Sequence, residues 1–144
     1  LRVLPGAREL FEIARAAALP VAIVTGSSRR ELEHALPILG LHAQRLAAAV
    51  CAEDVSRGKP HPDGYLQAAR RLGVDPERCL VIEDSEVGIA AGLAAGMRVV
   101  ASAAGNPPRG AAGHQDQSRA HLQIASLAGL TLTELGAMMT EVHA

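Results

Sequence analysis

The chain has 144 residues, 49% of them apolar and 1% aromatic, and its 14 basic and 15 acidic side chains give a formal net charge of -1. That length and apolar content suit a single globular domain over 1–144 with an aliphatic core. The balanced charge, with Phe11 and Tyr65 as its aromatic residues, excludes the broad basic footprint and stacking platforms of nucleic-acid binders and an electrostatic hold on an anionic membrane.

No apolar stretch approaches the roughly 20 residues of a bilayer span. Leu1 to Gly6 lacks the regions of a signal peptide, and Cys51 and Cys79 fit neither a disulfide framework nor a closely spaced metal pair. The expected location is cytoplasmic, with no nucleic-acid or membrane partner.

Ala7, Leu10, Phe11, Ala14, Ala17 and Ala18 recur at helical spacing opposite Arg8, Glu9, Glu12 and Arg15, which predicts a helix over 6–18. Pro20 then opens Val21-Ala22-Ile23-Val24, an unbroken apolar run suited to a strand covered on both faces. It ends on Thr25-Gly26. Ser28-Arg29-Arg30-Glu31 has the spacing of a capping box and starts a helix with Leu32, Ala35, Leu36 and Leu39 inward. Pro37 removes a donor and clashes one turn back, so a kink or an end is expected near Leu36.

A weaker strand is expected from about Leu46 to Cys51, then a polar loop from Glu53 to Pro60. Pro62 suits the first turn of a helix carrying Tyr65, Leu66, Ala69 and Leu72, with Gly73 as its left-handed stop. Cys79-Leu80-Val81-Ile82 repeats the buried-strand pattern and ends on Glu83-Asp84-Ser85. Ser85 caps the next helix, with Val87, Ile89, Ala90, Leu93 and Ala94, closed by Gly96.

Met97 to Ala101 reads as a strand. Gly105 to Gln117, rich in Gly, Pro and small residues, reads as a long surface loop or a flexible flap. His121 to Ile124 is expected to be a short edge strand. Thr131-Leu132-Thr133-Glu134 begins a last helix carrying Leu135, Met138, Met139 and Val142. Strands alternating with helices predict a doubly wound, Rossmann-like α/β fold with a parallel sheet.

In such a sheet ligands bind at the carboxyl ends of the strands. Two strong strands end there in polar clusters. Thr25-Gly26-Ser27-Ser28 offers a hydroxyl, a residue without a side chain and helix-start amides, which together suit an anion; the same four residues also suit a plain helix cap. Glu83 and Asp84 are paired carboxylates, costly to bring together without a cation, and hard oxygen ligands of this kind suit Mg²⁺. In the alternative, Asp84 and Ser85 cap the helix and Glu83 faces solvent.

Lys59, in Gly58-Lys59-Pro60, is the chain's one lysine. A compact ammonium on a flexible stem can reach a phosphate oxygen and a carboxylate oxygen together, which a planar guanidinium does less well. An arginine-rich chain must also place its few lysines somewhere. Conjunction separates these readings: phosphate donors, a cation and an acidic pair at one sheet edge are the components of phosphoryl transfer, where catalysis is mostly positioning and charge stabilisation.

With these three segments in order, from Leu4 to roughly Val100, the sequence resembles the haloacid dehalogenase-like hydrolases, particularly the branch of sugar-phosphate and polyol-phosphate phosphatases and beta-phosphoglucomutases. Val21 to Ser28 looks like that family's second motif, Gly58-Lys59-Pro60 its third and Val81 to Ser85 its fourth. The resemblance implies Thr25, Gly26, Ser27 and Lys59 as phosphate-binding, with Thr25 and Lys59 in catalytic roles. It implies Asp84 as the direct Mg²⁺ ligand, supported by Glu83, and a small phosphorylated metabolite as partner.

The family's nucleophile is the first aspartate of an Asp-x-Asp pair, and the chain has no Asp-x-Asp. Leu1 to Gly6 resembles the linker that follows the family's cap insertion, so the chain is expected to be the carboxyl-terminal part of the core, without the central first strand or the cap. That strand would lie between those ending at Thr25 and Asp84, leaving two orphaned edges. Three outcomes are open: the two strands pair directly, another chain or the missing amino-terminal segment fills the slot, or the fold is poorly stable. Self-association through the edges is expected. The implied activity is an Mg²⁺-dependent phosphomonoester hydrolase working through an aspartyl-phosphate. The alternatives are a phosphomutase of the beta-phosphoglucomutase type and a non-catalytic module that binds phosphate or a partner.

Overall fold

A computed structural model describes residues 3–140. Among them the helical periodicities become α1 (Ala7–Ala16), α2 (Arg29–Ile38), α3 (Asp63–Leu72), α4 (Glu86–Ala94) and α5 (Leu132–Met138). The apolar runs become β1 (Ala22–Val24), β2 (Ala48–Val50), β3 (Leu80–Glu83), β4 (Arg98–Ser102) and β5 (Leu122–Ile124). Val142, expected on α5, lies outside the described residues.

All pairings are parallel. β1 runs beside β2 with Ala22 opposite Ala48 and Val24 opposite Val50. β4 lies between β3 and β5, with Leu80 opposite Arg98 and Val100 opposite Leu122. These are two separate sheets, β1-β2 and β3-β4-β5. Direct pairing of the strands that end at Val24 and Glu83 is therefore not the solution the chain adopts, and each keeps a free edge.

Side-chain alternation assigns the layers. Val81, Val99 and Ala101 point to one face, packed with Tyr65 and Ala69 of α3 and Ile89 and Ala91 of α4, and Val24 of β1 joins the same cluster. Leu80, Ile82 and Val100 point to the other, against Leu10 of α1, Leu127, and Leu135 and Met138 of α5. Phe11, the neighbour of Leu10, packs instead with Leu32, Leu36, Leu41 and Cys51 beside Ile23. Helices therefore cover both faces, as doubly wound topology requires, and α1 on one side and α3 on the other span the division. No helix of the described residues is long and apolar enough to cross a membrane.

α2 ends close to Leu36, as Pro37 leads one to expect. It continues through Pro37 to Ile38, because Pro37 sits in the last turn: the Leu39 and Leu41 amides still reach Ala35 and Leu36 carbonyls at 3.0 and 2.9 Å. Both capping boxes are present, Ser28 with Glu31 and Thr131 with Glu134. Gly73 ends α3 at φ 66°, in the left-handed region that glycine adopts without a Cβ penalty. A Cβ on Gly92 would stand 2.8 Å from Cγ2 of Val99, so close packing of α4 on β4 explains that glycine.

Candidate active site

β1 ends where Thr25 continues its ladder, the Thr25 amide donating to the Val50 carbonyl at 2.9 Å. Thr25 Oγ1 then accepts from the Ser27 amide at 3.0 Å, closing a tight turn. The turn is stitched to the next loop. The Ala52 amide donates to the Ser27 carbonyl at 3.0 Å, and the Arg29 amide, first in α2, donates to both Glu53 oxygens at 3.1 Å. Asp54 gathers Arg29 at 2.5 Å, Arg71 at 3.2 Å and the Cys51 amide at 2.8 Å. The Cys51 amide and these two guanidinium groups outweigh its partial burial and hold Asp54 below the usual carboxylate range.

Lys59 reaches across the division. Its Nζ donates to the Val24 carbonyl at 3.2 Å and to Glu83 Oε1, joining the end of β1 to the end of β3. The same Glu83 oxygen accepts from the Tyr65 hydroxyl at 2.5 Å. Oε2 accepts from the Ser85 hydroxyl at 3.0 Å and the Asp84 and Ser85 amides at 3.2 and 3.4 Å. Burial pushes the Glu83 carboxyl up, but the Lys59 charge and the hydrogen bonds from Lys59, Tyr65 and Ser85 outweigh it and hold Glu83 below the ordinary range. Gly88 completes the fit: a Cβ there would run into the Glu83 carboxylate.

Asp84 is fixed from behind. Gln117, 3% exposed, donates through Nε2 to both the Asp84 and Ser102 carbonyls at 2.9 Å, and its Oε1 accepts from Gln123 at 2.8 Å. Gln115 Oε1 caps the Glu86 amide at 3.0 Å, while its backbone pairs with the Asn106 side chain through two 2.9 Å bonds. The segment read from the sequence as a surface loop or flap is pinned to the strand ends by its two glutamines.

A cavity of about 210 Å³ opens between these elements, with Thr25, Gly26, Lys59, Arg57, His61 and Tyr65 in its wall. Nothing lies within 4 Å of where a Gly26 Cβ would be, so a ligand can approach that backbone. Ser27 lies outside this wall, its amide turned to Thr25. Asp84 lines a smaller neighbouring recess of about 50 Å³ with Asn106 and Gln115. Of the proposed residues, then, Thr25, Gly26 and Lys59 share one cavity, and Glu83, gripped by Lys59, ties Asp84 to it.

No group of three or more metal-ligating side chains occurs among the described residues. Both Glu83 oxygens already have protein donors, so Asp84 is the carboxylate of the pair left open. This suits Mg²⁺, which keeps several waters and takes one or two carboxylates together with phosphate oxygens.

Sequence reasoning did not foresee Tyr65 as a polar group or Gln117 and Gln115 as anchors. Helical spacing puts Tyr65 on the apolar face of α3, and no local pattern in the sequence signals a partner for its hydroxyl.

A profile of the haloacid dehalogenase-like hydrolases matches residues 1–96. Hexitol phosphatase A of Escherichia coli is 43% identical over 110 residues, covering 76% of this chain and 50% of that protein. Hexitol phosphatase B of the same organism is 36% identical over 136 residues, covering 92% and 58%. A haloacid dehalogenase family hydrolase from Deinococcus radiodurans, solved with bound phosphate and sodium, superposes with a TM-score of 0.79 at 37% identity, covering 97% of this chain and 62% of that one. The chain spans about half the length of the curated relatives it matches.

Proposed function

The chain belongs to the haloacid dehalogenase-like hydrolases, and we propose that it supplies the phosphate- and metal-holding half of an Mg²⁺-dependent phosphomonoester hydrolase. The observation that supports this is the bridge of Lys59 from the Val24 carbonyl to Glu83, which links the strand end before Thr25 and Gly26 to the strand end before Asp84. Relatives that are hexitol phosphatases favour a small phosphorylated sugar or polyol as substrate.

Each residue has a distinct task. The Thr25 hydroxyl and the Gly26 backbone receive the transferring phosphoryl oxygens, the Ser27 amide braces that hydroxyl by donating to Thr25 Oγ1, and Lys59 neutralises charge gathering on the phosphoryl group and on the attacking group. Asp84 holds Mg²⁺, with Glu83 behind it keeping Lys59 and the Asp84 amide in place. When bound, the cation polarises the phosphoryl oxygens as a Lewis acid.

The nucleophile would be an aspartate on a strand added between β1 and β3, each of which pairs on one edge among the described residues. Its carboxylate oxygen would bond to phosphorus as the ester P–O bond breaks, the departing alkoxide taking a proton from the second aspartate of the Asp-x-Asp pair, which regains one from the water of the next step. Water then cleaves the aspartyl-phosphate, releasing inorganic phosphate and restoring the carboxylate.

The 144-residue chain by itself is therefore expected not to turn over para-nitrophenyl phosphate, yet to bind inorganic phosphate in the presence of Mg²⁺. Mg²⁺-dependent turnover by the chain that disappears in Lys59→Ala would overturn the assignment of the nucleophile to another strand. Phosphate binding without turnover, even once a strand bearing Asp-x-Asp is joined, would favour the non-catalytic module.

A further inference from the structure

Tyr65 is the chain's one tyrosine and Lys59 its one lysine, and both are aimed at the same carboxylate oxygen. The Tyr65 hydroxyl donates to Glu83 Oε1 at 2.5 Å while Lys59 Nζ donates to that oxygen from the cavity side. The ammonium also stands 5.1 Å from the centroid of the Tyr65 ring, within reach of a cation–π attraction. Burial, reinforced by the charge of Glu83, pushes the phenol far above its ordinary range, so the hydroxyl keeps its proton and donates.

Three contacts locate Nζ: the Val24 carbonyl, Glu83 Oε1 and the ring. A lysine stem is flexible and its ammonium readily reoriented, so the site of positive charge depends on what holds that oxygen. Glu83 is buried, and a buried carboxylate oxygen left without a donor is strongly disfavoured. With Lys59 as its sole partner, Oε1 would compete with an incoming phosphate for the ammonium. With the Tyr65 hydroxyl in place, the oxygen stays satisfied when Lys59 turns toward a ligand.

Building on the phosphatase reading above, we propose that Tyr65 is a positioning residue: its hydroxyl fixes the Glu83 carboxylate so that Lys59 is presented at the end of β1 and is free to engage a phosphate oxygen. This places a polar task on the buried face of α3 and gives a reason for the aromatic residue there to carry a hydroxyl. The ring supplies packing and the cation–π contact with or without that oxygen.

The single lysine makes the test direct. In the chain labelled with ¹³C at lysine Cε, one correlation reports Lys59 alone. Tyr65→Phe keeps the ring and removes the hydroxyl, and its Lys59 signal is expected to move or broaden toward that of an unrestrained lysine in the absence of ligand. Titrated with inorganic phosphate in Mg²⁺, the variant is expected to bind about tenfold more weakly, the loss typical of one hydrogen bond to a charged group.

A Tyr65→Phe signal at the wild-type position overturns the proposal, whatever the phosphate affinity. Phosphate that fails to move the wild-type Lys59 signal sinks the phosphatase reading instead, and the ligand-free comparison still decides the positioning. Should Tyr65→Phe fail to fold, the wild-type hydroxyl proton decides. A slowly exchanging tyrosine hydroxyl signal with a cross-relaxation peak to the lysine Cε protons supports the proposal, and no such peak overturns it.

Discussion

In the three-stranded sheet, Val99, Val100 and Ala101 of β4 are completely buried, whereas in the two-stranded sheet every residue of β1, and Ala48 and Ala49 of β2, keep part of their surface in water. The Asp84 side of the site thus stands on a packed platform with helices on both faces. The Thr25 side is held more by polar stitching, through Ala52 to Ser27, Arg29 to Asp54 and Arg71 to the Ala49 carbonyl at 2.6 Å. The contrast teaches that the two halves draw stability from different sources, apolar burial on the Asp84 side and hydrogen bonds with bridging helices on the Thr25 side.

The sharpest way to break that contrast is truncation on each side. Ile89→Ala, at a residue 1% exposed against the larger sheet, is expected to cost about 3 kcal/mol in urea denaturation, and Ile23→Ala on half-exposed β1 about 1 kcal/mol. Equal losses would erase the distinction.

Next comes Gly88→Ala. Its methyl group displaces the Glu83 carboxylate, with an expected cost of about 2 kcal/mol for overpacking, and phosphate binding should fall along with stability. Retained affinity would show that Glu83 does not hold Lys59 for the ligand.

Gln117→Ala withdraws the donor shared by the Asp84 and Ser102 carbonyls and is expected to cost about 1–2 kcal/mol. Hydrogen exchange should quicken around Asp84 and Ser85 and hardly at all around Thr25.

Acid should act on the bridge between the halves. Glu83 titrates lower folded than unfolded, so its contribution is complete above the unfolded carboxylate range and is lost as pH falls through the folded value. Stability of Glu83→Gln is expected to depend less on pH between about 5 and 3 than that of the parent chain. The smallest effect belongs to Arg29→Ala, whose pair with Asp54 is 45% exposed on the arginine side, and its thermal melt is expected to stay close to that of the parent chain.

Local signals carried much of this into the sequence. The strand ends at Thr25 and Glu83 were legible because unbroken apolar runs stop there, and the caps at Ser28, Ser85 and Thr131 because a cap links residues three positions apart. Pro37 was legible as a helix end, and the last turn tolerates its missing donor because the following amides find carbonyls nearby. Gln117 was hidden because its partners, Asp84 and Ser102, come from two other elements, and composition alone makes 105–117 look free. Glu53 and Asp54 fall where the sequence shows a polar loop, yet one caps α2 and the other gathers Arg29 of α2 and Arg71 of α3. The hydroxyl of Tyr65 was concealed by helical periodicity, which registers its ring as one more apolar contact.

Calorimetric titration of inorganic phosphate into the chain, with and without Mg²⁺, tests most directly whether Thr25, Lys59 and Asp84 serve one bound phosphate. The expected result is Mg²⁺-dependent binding that weakens about tenfold or more in each of Thr25→Val, Lys59→Ala and Asp84→Asn, with the double variants losing less than the sum of the single losses. Binding indifferent to Mg²⁺, or a variant at any of the three positions that binds as the parent does, would contradict it.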